Sequence, residues 1–261
     1  MQRRGPYCSS PFPRSYYILH MRHHTHHLFY GDVRVPGTVV LDKKETRHAV
    51  SVLRAAAGDT VLATDGRGNV YTCVIEELGD SGCSARIVDT RIEKPQSPAL
   101  HVYAGLPERD AFEKLCENLV PFEIASITPV ECAHCQARWW SSKWEKQADR
   151  FRRILIASLK QCLSPHLPAM SVPIGFGAAL KSAPGACIFA DAGGEKIAAI
   201  GKSLSGREPV SCFVGPPGGF SQDELDSLKH AGAHALWLGP HRLRTGLAAA
   251  AMVSAVRQAF A

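Results

Sequence analysis

The sequence predicts an α/β protein of two domains, a compact β-barrel followed by a larger parallel sheet covered by helices. Up to about residue 93, short apolar strands and glycine turns dominate, with a single amphipathic helix among them. From residue 100 onward, apolar strand-like runs alternate with helix-like stretches, the order typical of a parallel sheet. The segment 94–98, Lys-Pro-Gln-Ser-Pro, lies between the two patterns and is the natural linker.

Four strands and one helix make up the predicted N-terminal barrel. The helix covers 45–53, because Ala49, Val52 and Leu53 fall on one helical face. The sequence Asp-Gly-Arg-Gly at 65–68 has the composition of a tight turn that joins two strands as a hairpin. The strands are predicted at 38–41, 59–64, 69–75 and 83–88.

The C-terminal domain is predicted to alternate between strands and helices. Its strands are short apolar runs, and its helices are the longer stretches between them. Helices are predicted at 110–119, 144–163, 222–231 and 245–260, and strands at 100–104, 124–130, 186–190, 210–214 and 235–238.

Two glycine-proline turns near the C-terminus predict a ligand site. They read Val-Gly-Pro-Pro-Gly-Gly-Phe-Ser at 214–221 and Leu-Gly-Pro-His-Arg-Leu-Arg-Thr at 238–245, and each follows an apolar run and precedes a helix. In open α/β sheets, ligands bind at the carboxyl ends of the strands, where such turns lie. Glycine lets backbone approach a ligand closely, and proline fixes the loop.

The pair of turns resembles the cofactor-binding loops of the knotted SPOUT methyltransferases. More narrowly, it is similar to the small-subunit ribosomal RNA uridine N3-methyltransferases, the RsmE family, and the similarity extends from about His27 onward. It implies a SPOUT domain with a trefoil knot at 99–261, a PUA-like RNA-binding barrel at 21–95, S-adenosylmethionine as cofactor and a homodimer. The knot is implied by the resemblance alone. The further runs that carry the resemblance are 27–30, 47–54, 58–59, 65–68, 127–129 and 160–163.

The resemblance also implies which residues hold the cofactor. Asp191 is expected to accept from a hydroxyl group, with a solvated loop aspartate as the alternative. Gly218 is expected where backbone meets the ligand, so that a side chain there would crowd the pocket. For Thr245, capping of the last helix is favoured over catalysis. The predicted cofactor residues are Ala190, Asp191, Gly215, Pro216, Gly218, Gly219, Phe220, Leu238, Gly239, Leu243, Arg244 and Thr245.

Methyl transfer to uridine N3 requires an aligned acceptor and removal of a weakly acidic proton, or stabilisation of the resulting anion. Arg244 is the main catalytic candidate, because it can pair with phosphate or stabilise oxyanion charge on uracil. Its alternative role is a salt bridge at a helix N-terminus. Gln161 matches a glutamine of the family and is the second candidate, with a helix-surface glutamine as the alternative.

The sequence departs from the family pattern around the expected acceptor site. Pro217 stands where the family usually has Glu, and Gly-Leu at 246–247 replaces Glu-Thr. Cys-Ala-His-Cys at 132–135 replaces a Glu-Arg-Ser-basic stretch. The first hypothesis is S-adenosylmethionine-dependent N3-methylation of a uridine in 16S ribosomal RNA; the alternative is a catalytically impaired RNA-binding protein with the same fold. The remaining departures are Asn118, Pro121 and Glu123, in place of Lys, Glu and Gly.

The composition indicates which kind of partner the protein binds and in which cellular compartment it is expected. The net charge of +6 and pI near 8.9 suit an anionic partner, here 16S ribosomal RNA or the small ribosomal subunit. No apolar run approaches a membrane span, and nine cysteines without a secretory segment favour reduced thiols in the cytoplasm. The spacing at 132–135 is half a zinc site without a second pair, so no metal is predicted. The predicted RNA-binding residues are Arg22, Arg47, Arg54 and Arg67.

Three further segments leave their roles open. The first 20 residues differ in composition and are expected to form a poorly ordered extension, with Met1 or Met21 as the true start. The histidine-rich segment 22–30 is expected either to contact RNA or to form a solvated N-terminal strand. Trp139, Trp140 and Trp144 are expected either to line an RNA cleft or to pack in a core or dimer interface.

Overall fold

A computed structural model of the chain describes residues 27–79, 82–136, 139–140, 144–201, 204 and 209–260. The described residues form thirteen β-strands and seven α-helices. The predicted extension at 1–20, Arg22 and most of the histidine-rich segment lie outside them. None of the helices in the described ranges is long and apolar enough to span a membrane.

The first sheet has six strands and confirms the predicted β domain. Its order is β1-β4-β5-β6-β3-β2, and its neighbours are antiparallel except for the parallel pair β1 and β4. Phe29, Val39, Cys73 and Ile75 meet in its core, each at most 1% exposed. The strands are β1 (Leu28–Tyr30), β2 (Asp32–Val35), β3 (Thr38–Leu41), β4 (Thr60–Thr64), β5 (Asn69–Gly79) and β6 (Gly82–Ile92).

The single helix of this domain, α1 (Lys43–Ser51), begins at a side-chain cap. The Asp42 carboxylate accepts from the backbone N–H groups of Lys44 and Glu45, each at 2.8 Å, which satisfies donors that the first turn leaves free. Ala49 on its inner face is completely buried, as predicted, but the helix ends at Ser51, and Val52, predicted on the same face, is 62% exposed.

The second sheet is parallel throughout, as the alternation of elements predicts. Its order is β10-β8-β7-β12-β11-β13, with β9 paired to β8. All five residues of β12 are buried, because helices cover both faces of the sheet. The trefoil knot stays a prediction from the resemblance. The strands are β7 (Leu100–Gly105), β8 (Ser126–Glu131), β9 (Ala169–Met170), β10 (Ile174–Gly175), β11 (Ala186–Glu195), β12 (Val210–Val214) and β13 (His234–Leu236).

Alternate residues of the central strands enter two separate cores. Val102 and Cys212 belong to the large core with the α2, α3 and α7 side chains, whereas Tyr103 and Phe213 stack at 4.6 Å in a smaller core with α4 and α6 side chains. The helices are α2 (Arg109–Leu119), α3 (Trp144–Cys162), α4 (Phe176–Ser182), α5 (Ile197–Ile200), α6 (Gln222–His230) and α7 (Thr245–Ala259), with a short 3₁₀ helix at Val120–Phe122.

The tryptophan cluster packs in the large core. The rings of Trp139 and Trp144 lie with their centroids 6.0 and 6.5 Å from that of Phe112, and Trp140 is 5% exposed. Its indole N–H donates to the Glu131 carboxylate at 2.5 Å. Core packing therefore accounts for this cluster, and the RNA-cleft interpretation is not needed.

The turn at 65–68 joins two strands and also docks the two domains. Gly68 N donates to the Pro165 carbonyl at 2.9 Å, and Leu167 N donates to the Gly66 carbonyl at 2.8 Å. A Cβ at Gly68, which has φ +92°, would lie 2.6 Å from the Glu93 carbonyl oxygen. The predicted turn is confirmed, and its glycines are required by the junction as well as by the hairpin.

Two buried or half-buried cations reinforce the junction and the linker. Lys160 on α3 forms an ion pair with Glu45 on α1, whose side chain is 7% exposed. Arg257 on α7 donates to three backbone carbonyls, those of Pro98, Phe122 and Glu123, at 2.6, 3.1 and 2.7 Å. The linker is therefore held against the second sheet by the last helix.

Candidate cofactor and acceptor cavities

Three segments meet at the carboxyl edge of the second sheet. Strands β12, β11 and β13 are adjacent and parallel, so the loops after β12 and β13 lie beside the C-terminal part of β11. Strand β11 continues to Glu195, past the predicted end at residue 190, with a register shift against β13 after Ala190. The three segments enclose a cavity of about 440 Å³, which lies within the size range of small-molecule sites. Its lining combines loop backbone with the apolar side chains of Phe220 and Leu238.

Ten of the twelve predicted cofactor residues line this cavity, and two do not. Arg244 lines a neighbouring cavity instead, and Gly218 lines neither of these two. The ten are Ala190, Asp191, Gly215, Pro216, Gly219, Phe220, Leu238, Gly239, Leu243 and Thr245.

The reason expected for a glycine at position 218 is wrong. A Cβ on Gly218 would lie 2.6 Å from the Cβ of His134 and 3.2 Å from its carbonyl oxygen. The residue is small because the segment 132–135 packs against the first loop from outside the cavity. His134 Nδ1 also lies 3.2 Å from the Gly219 carbonyl oxygen, within hydrogen-bonding distance.

Gly105, at the end of β7, is the glycine against which the first loop packs most closely. A Cβ there would lie 2.4 Å from the backbone N of Pro216 and 2.5 Å from its Cδ. The first loop can therefore take its path only because residue 105 has no side chain. The available signal in the sequence was a glycine directly after an apolar strand run at the same edge of the sheet.

Thr245 joins the two loops and does not cap the last helix. Arg244 is the N-cap residue by its backbone, without a side-chain hydrogen bond, and Thr245 is the first residue of α7. The Thr245 hydroxyl donates to the Gly215 carbonyl at 3.0 Å, and the residue is 6% exposed. The capping prediction is wrong because the hydroxyl points inward, where it fixes the base of both loops.

Glu224 holds the first loop from its far side. Its carboxylate accepts from the backbone N–H groups of Ser221 and Ala133, both at 2.8 Å, and the Ser221 hydroxyl accepts from Glu224 N. This capping box starts α6 and ties the segment 132–135 to the loop. Serine followed three residues later by glutamate was the sequence signal for it.

The two cysteines of that segment interact with each other. Cys132 N donates to Cys135 Sγ at 3.3 Å. A hydrogen bond from the Cys132 thiol lowers the pKa of Cys135 to about 7, whereas the same interaction and burial raise the pKa of Cys132. Among the described residues there is no group of three or more His, Cys, Asp or Glu that could hold a metal ion.

Asp191 is half-buried and lines the cavity, and its carboxylate accepts from Gly193 N at 3.0 Å. Part of its hydrogen-bonding capacity is therefore used by its own loop. A carboxylate oxygen has further lone pairs, so this bond leaves capacity for a ligand hydroxyl.

A second cavity of about 480 Å³ adjoins the first. Two arginines, Arg242 and Arg244, are among its lining residues, and these include no carboxylate among the described part of the chain. This arrangement favours phosphate or a developing oxyanion. Its lining residues are Pro107, Ala111, Pro217, Arg242, Leu243, Arg244, Thr245 and Gly246.

The remaining predicted residues lie away from these cavities. Gln161 is exposed near the end of α3 and lines neither cavity. Arg47 on α1, Arg54 after it and Arg67 in the docking turn are exposed on the N-terminal domain. Arg22 lies outside the described residues, so its role and those of the other three stay predictions.

An open parallel sheet with two adjoining cavities at its carboxyl edge defines an α/β protein that binds ligands at the ends of its strands. A family model described as RNA methyltransferase domain matches residues 94–257, and one described as RNA methyltransferase PUA domain matches residues 41–88. The chain therefore belongs to the RNA methyltransferase family that carries an N-terminal PUA domain.

Relatives and solved structures agree with this assignment. The chain is 30% identical over 239 residues to the ribosomal RNA small subunit methyltransferase E of Mycobacterium bovis, covering 88% of this chain and 90% of the relative. A crystal structure of that methyltransferase from Neisseria gonorrhoeae, bound to S-adenosyl methionine, superposes with a TM-score of 0.78 at 24% identity over 90% of this chain and 98% of that one. A Legionella pneumophila methyltransferase in complex with the same cofactor gives 0.78 at 23% identity, over 89% and 97%.

Proposed function

We propose that this chain transfers a methyl group from S-adenosylmethionine to N3 of a uridine in 16S ribosomal RNA. The observation that carries the proposal is the pair of cavities with a common wall, one lined by loop backbone and the other by two arginines. Relatives named ribosomal RNA small subunit methyltransferase E support the substrate. A structural neighbour bound to S-adenosyl methionine supports the cofactor.

The residues of the first cavity fit this cofactor. Gly219 and Gly239 adopt positive φ values of +78° and +143°, and both place backbone, not side chains, at the cavity wall. Peptide groups of the loops suit the polar edges of adenine and ribose, and Phe220 and Leu238 suit its apolar surfaces. When bound, the cofactor supplies an electrophilic methyl group on sulfur.

The chain's own residues then position the acceptor and stabilise its charge. A uracil in the second cavity would lie against Arg244, whose positive charge stabilises the uracil anion that forms when the N3 proton passes to solvent water. Thr245 and Glu224 keep the loops in place, so that little reorganisation of the protein is needed when the cofactor and the acceptor are both bound. Gln161 is retained as a proposed contact to RNA.

The N-terminal domain, residues 21–95, is proposed to bind RNA phosphates through Arg47, Arg54 and Arg67. All three are exposed, and the chain carries a net charge of +6. The protein is further proposed to act in the cytoplasm as a homodimer, with the site of one subunit completed by the other.

A second candidate function is RNA binding without methyl transfer. Two observations favour it. Pro217 stands where the resembled family usually has Glu, and the described lining residues of the second cavity include no carboxylate. The well-formed cofactor cavity argues against it, because a protein that only binds RNA has no need of that volume.

The experiment combines cofactor titration with methylation of under-methylated small ribosomal subunits. The wild-type chain is expected to bind S-adenosylmethionine by calorimetry and to methylate one uridine at N3, identified by mass spectrometry. The Arg244→Ala variant should reduce turnover about a hundredfold or more with little change in cofactor affinity, since Arg244 lines the second cavity and not the first. Wild-type protein that binds cofactor but methylates nothing would support the binding-protein alternative.

A further inference from the structure

The wall between the two cavities is made of four residues, and only one of them is charged. Pro217, Arg242, Leu243 and Thr245 line both cavities, so each can contact a ligand on either side. Arg242 is the charged member, and neither the sequence pattern nor the resemblance assigned it a role. Because it lines both cavities, Arg242 is a candidate for coupling the binding of a ligand in one cavity to binding in the other.

Arg242 on the second loop is bonded to the backbone of the first. Its Nη2 donates to the Pro217 carbonyl at 3.1 Å, and a Cβ built on Gly219 would lie 3.9 Å from the same nitrogen. The guanidinium therefore crosses from one loop to the other at their exposed mouth. The Thr245–Gly215 hydrogen bond joins the same two loops at their buried base.

The Pro217 carbonyl leaves most of the guanidinium for other partners. An arginine carries five N–H donors in a rigid plane, and the bond to Pro217 orients that plane. The bond is made to a carbonyl oxygen, so it does not require the Glu side chain that the family pattern has at 217. An acceptor anion in the second cavity meets a guanidinium whose direction depends on the first loop.

We propose that Arg242 is a positioning residue that couples cofactor binding to RNA binding. Cofactor in the first cavity fixes Gly215, Pro216 and Pro217, which line it; the Pro217 carbonyl then fixes Arg242, and its guanidinium is presented to the acceptor. Coupling of this kind is reciprocal, so RNA in the second cavity also tightens cofactor binding in the first. The inference rests on the proposed function, because the two ligands that it couples, S-adenosylmethionine and RNA, are those of the proposed function.

The test measures RNA affinity with and without S-adenosylhomocysteine, which occupies the cofactor site without turnover. Under-methylated small ribosomal subunits are the RNA probe. In the wild type, the cofactor product is expected to tighten RNA binding about fivefold or more, the usual lower range of such coupling. Arg242→Met should reduce that ratio to about one, and Arg242→Lys should restore part of it, because an ammonium can still donate to the Pro217 carbonyl.

Arg153→Met is the matched control. Arg153 is also exposed in the same domain, and its Nε donates to a backbone carbonyl, that of Asp149, at 3.2 Å. It should leave the ratio at the wild-type value. An unchanged ratio in Arg242→Met, an equal loss in Arg153→Met, or a wild type without coupling would each overturn the inference.

The proposed function fails by a different result. Wild-type protein that binds S-adenosylhomocysteine and RNA with coupling but produces no N3-methyluridine would refute methyl transfer and leave the coupling role of Arg242 supported. Wild-type protein that does not bind S-adenosylhomocysteine would overturn both.

Discussion

Two glycines allow the close packing of the first cofactor loop: Gly105, which the loop meets at Pro216, and Gly218 in the loop itself, which meets His134. A Cβ at residue 105 would overlap the backbone of Pro216, and one at residue 218 would overlap His134. A Cβ at residue 105 would have three atoms within 3.0 Å, those of Pro216 and Gly215, whereas one at residue 218 would have only the His134 Cβ within that distance. The loop geometry therefore depends more strongly on residue 105.

The substitution Gly105→Ala is expected to weaken cofactor binding at least tenfold. The added methyl would sit 2.4 Å from Pro216 N, so the loop must move, with a stability cost of roughly 1–3 kcal/mol for overpacking. Calorimetric titration with S-adenosylmethionine and thermal unfolding measure the two effects. Gly177→Ala is the control, because a Cβ at that position on α4 meets nothing within 4 Å. Wild-type affinity in the Gly105→Ala variant would show that the loop can relax.

Individual site residues could be predicted where the residue type and its neighbours in sequence indicate the role. Gly219 and Gly239 follow buried strands, Asp191 lies within β11, and all three line the cavity. The capping box of Glu224 has a local signal, but two long-range bonds do not: Glu224 bonds Ala133, 91 residues away, and Arg242 bonds Pro217, 25 residues away. No local pattern encodes such a pairing.

At the scale of elements, α7 links the cofactor site to the rest of the domain. Its first residue, Thr245, bonds the first loop, and its last turn carries Arg257, which binds three backbone carbonyls. Desolvation by burial lowers the pKa of Arg257, and the carbonyls compensate for the lost water. One helix thus anchors both the loop at its start and the linker at its end.

The substitution Arg257→Met should destabilise the protein by roughly 2–4 kcal/mol, because three carbonyls lose a charged donor. Urea unfolding followed by circular dichroism measures the change. Gln258→Ala, on the exposed neighbour, is the control and should change stability by less than about 0.5 kcal/mol. A midpoint for Arg257→Met equal to that of the control would mean that the carbonyls find other donors.

The long helices were predictable, whereas some of the shortest elements were not. Helices α2, α3, α6 and α7 have enough turns to show an apolar stripe, and their predicted bounds differ from the observed ones by one residue at most. By contrast, α5 has four residues and β9 and β10 have two each, so none of them shows a period. Their formation is decided by the sheet and helices around them.

At the scale of the whole molecule, exposed arginines on the N-terminal domain are expected to bind RNA. The double substitution Arg47→Glu with Arg54→Glu should weaken RNA binding and reduce the dependence of log K on log salt, by about 0.7–0.9 for each phosphate that the variant no longer neutralises. Filter binding at several salt concentrations measures this. Cofactor affinity should stay unchanged, since neither residue lines the cofactor cavity.

A control with the same change in net charge is Lys181→Glu with Lys229→Glu, two exposed residues in the last turns of α4 and α6. It should lower RNA affinity less and leave the salt slope nearer to the wild-type value. Equal effects of the two double variants would indicate a response to total charge and not to the N-terminal surface.

The order of the domains could be predicted from the change in pattern at the linker, but their junction could not. The hairpin turn at 65–68 is recognisable by its glycines, yet its partner is the segment 165–167, about a hundred residues later. The period of apolar residues and the residue types of turns predict structure among neighbours in sequence. They do not predict which distant surface a turn will contact.

This junction has a consequence for how the two halves can be exchanged between relatives. The linker looks like a suitable place to join two domains, but Gly66 and Gly68 form backbone hydrogen bonds with Leu167 and Pro165 of the C-terminal domain. A barrel transplanted from a distant relative would arrive without its complementary turn. The barrel should therefore be exchanged together with the segment 165–167 of the C-terminal domain. A chimaera joined at the linker alone would combine two contact surfaces that do not match.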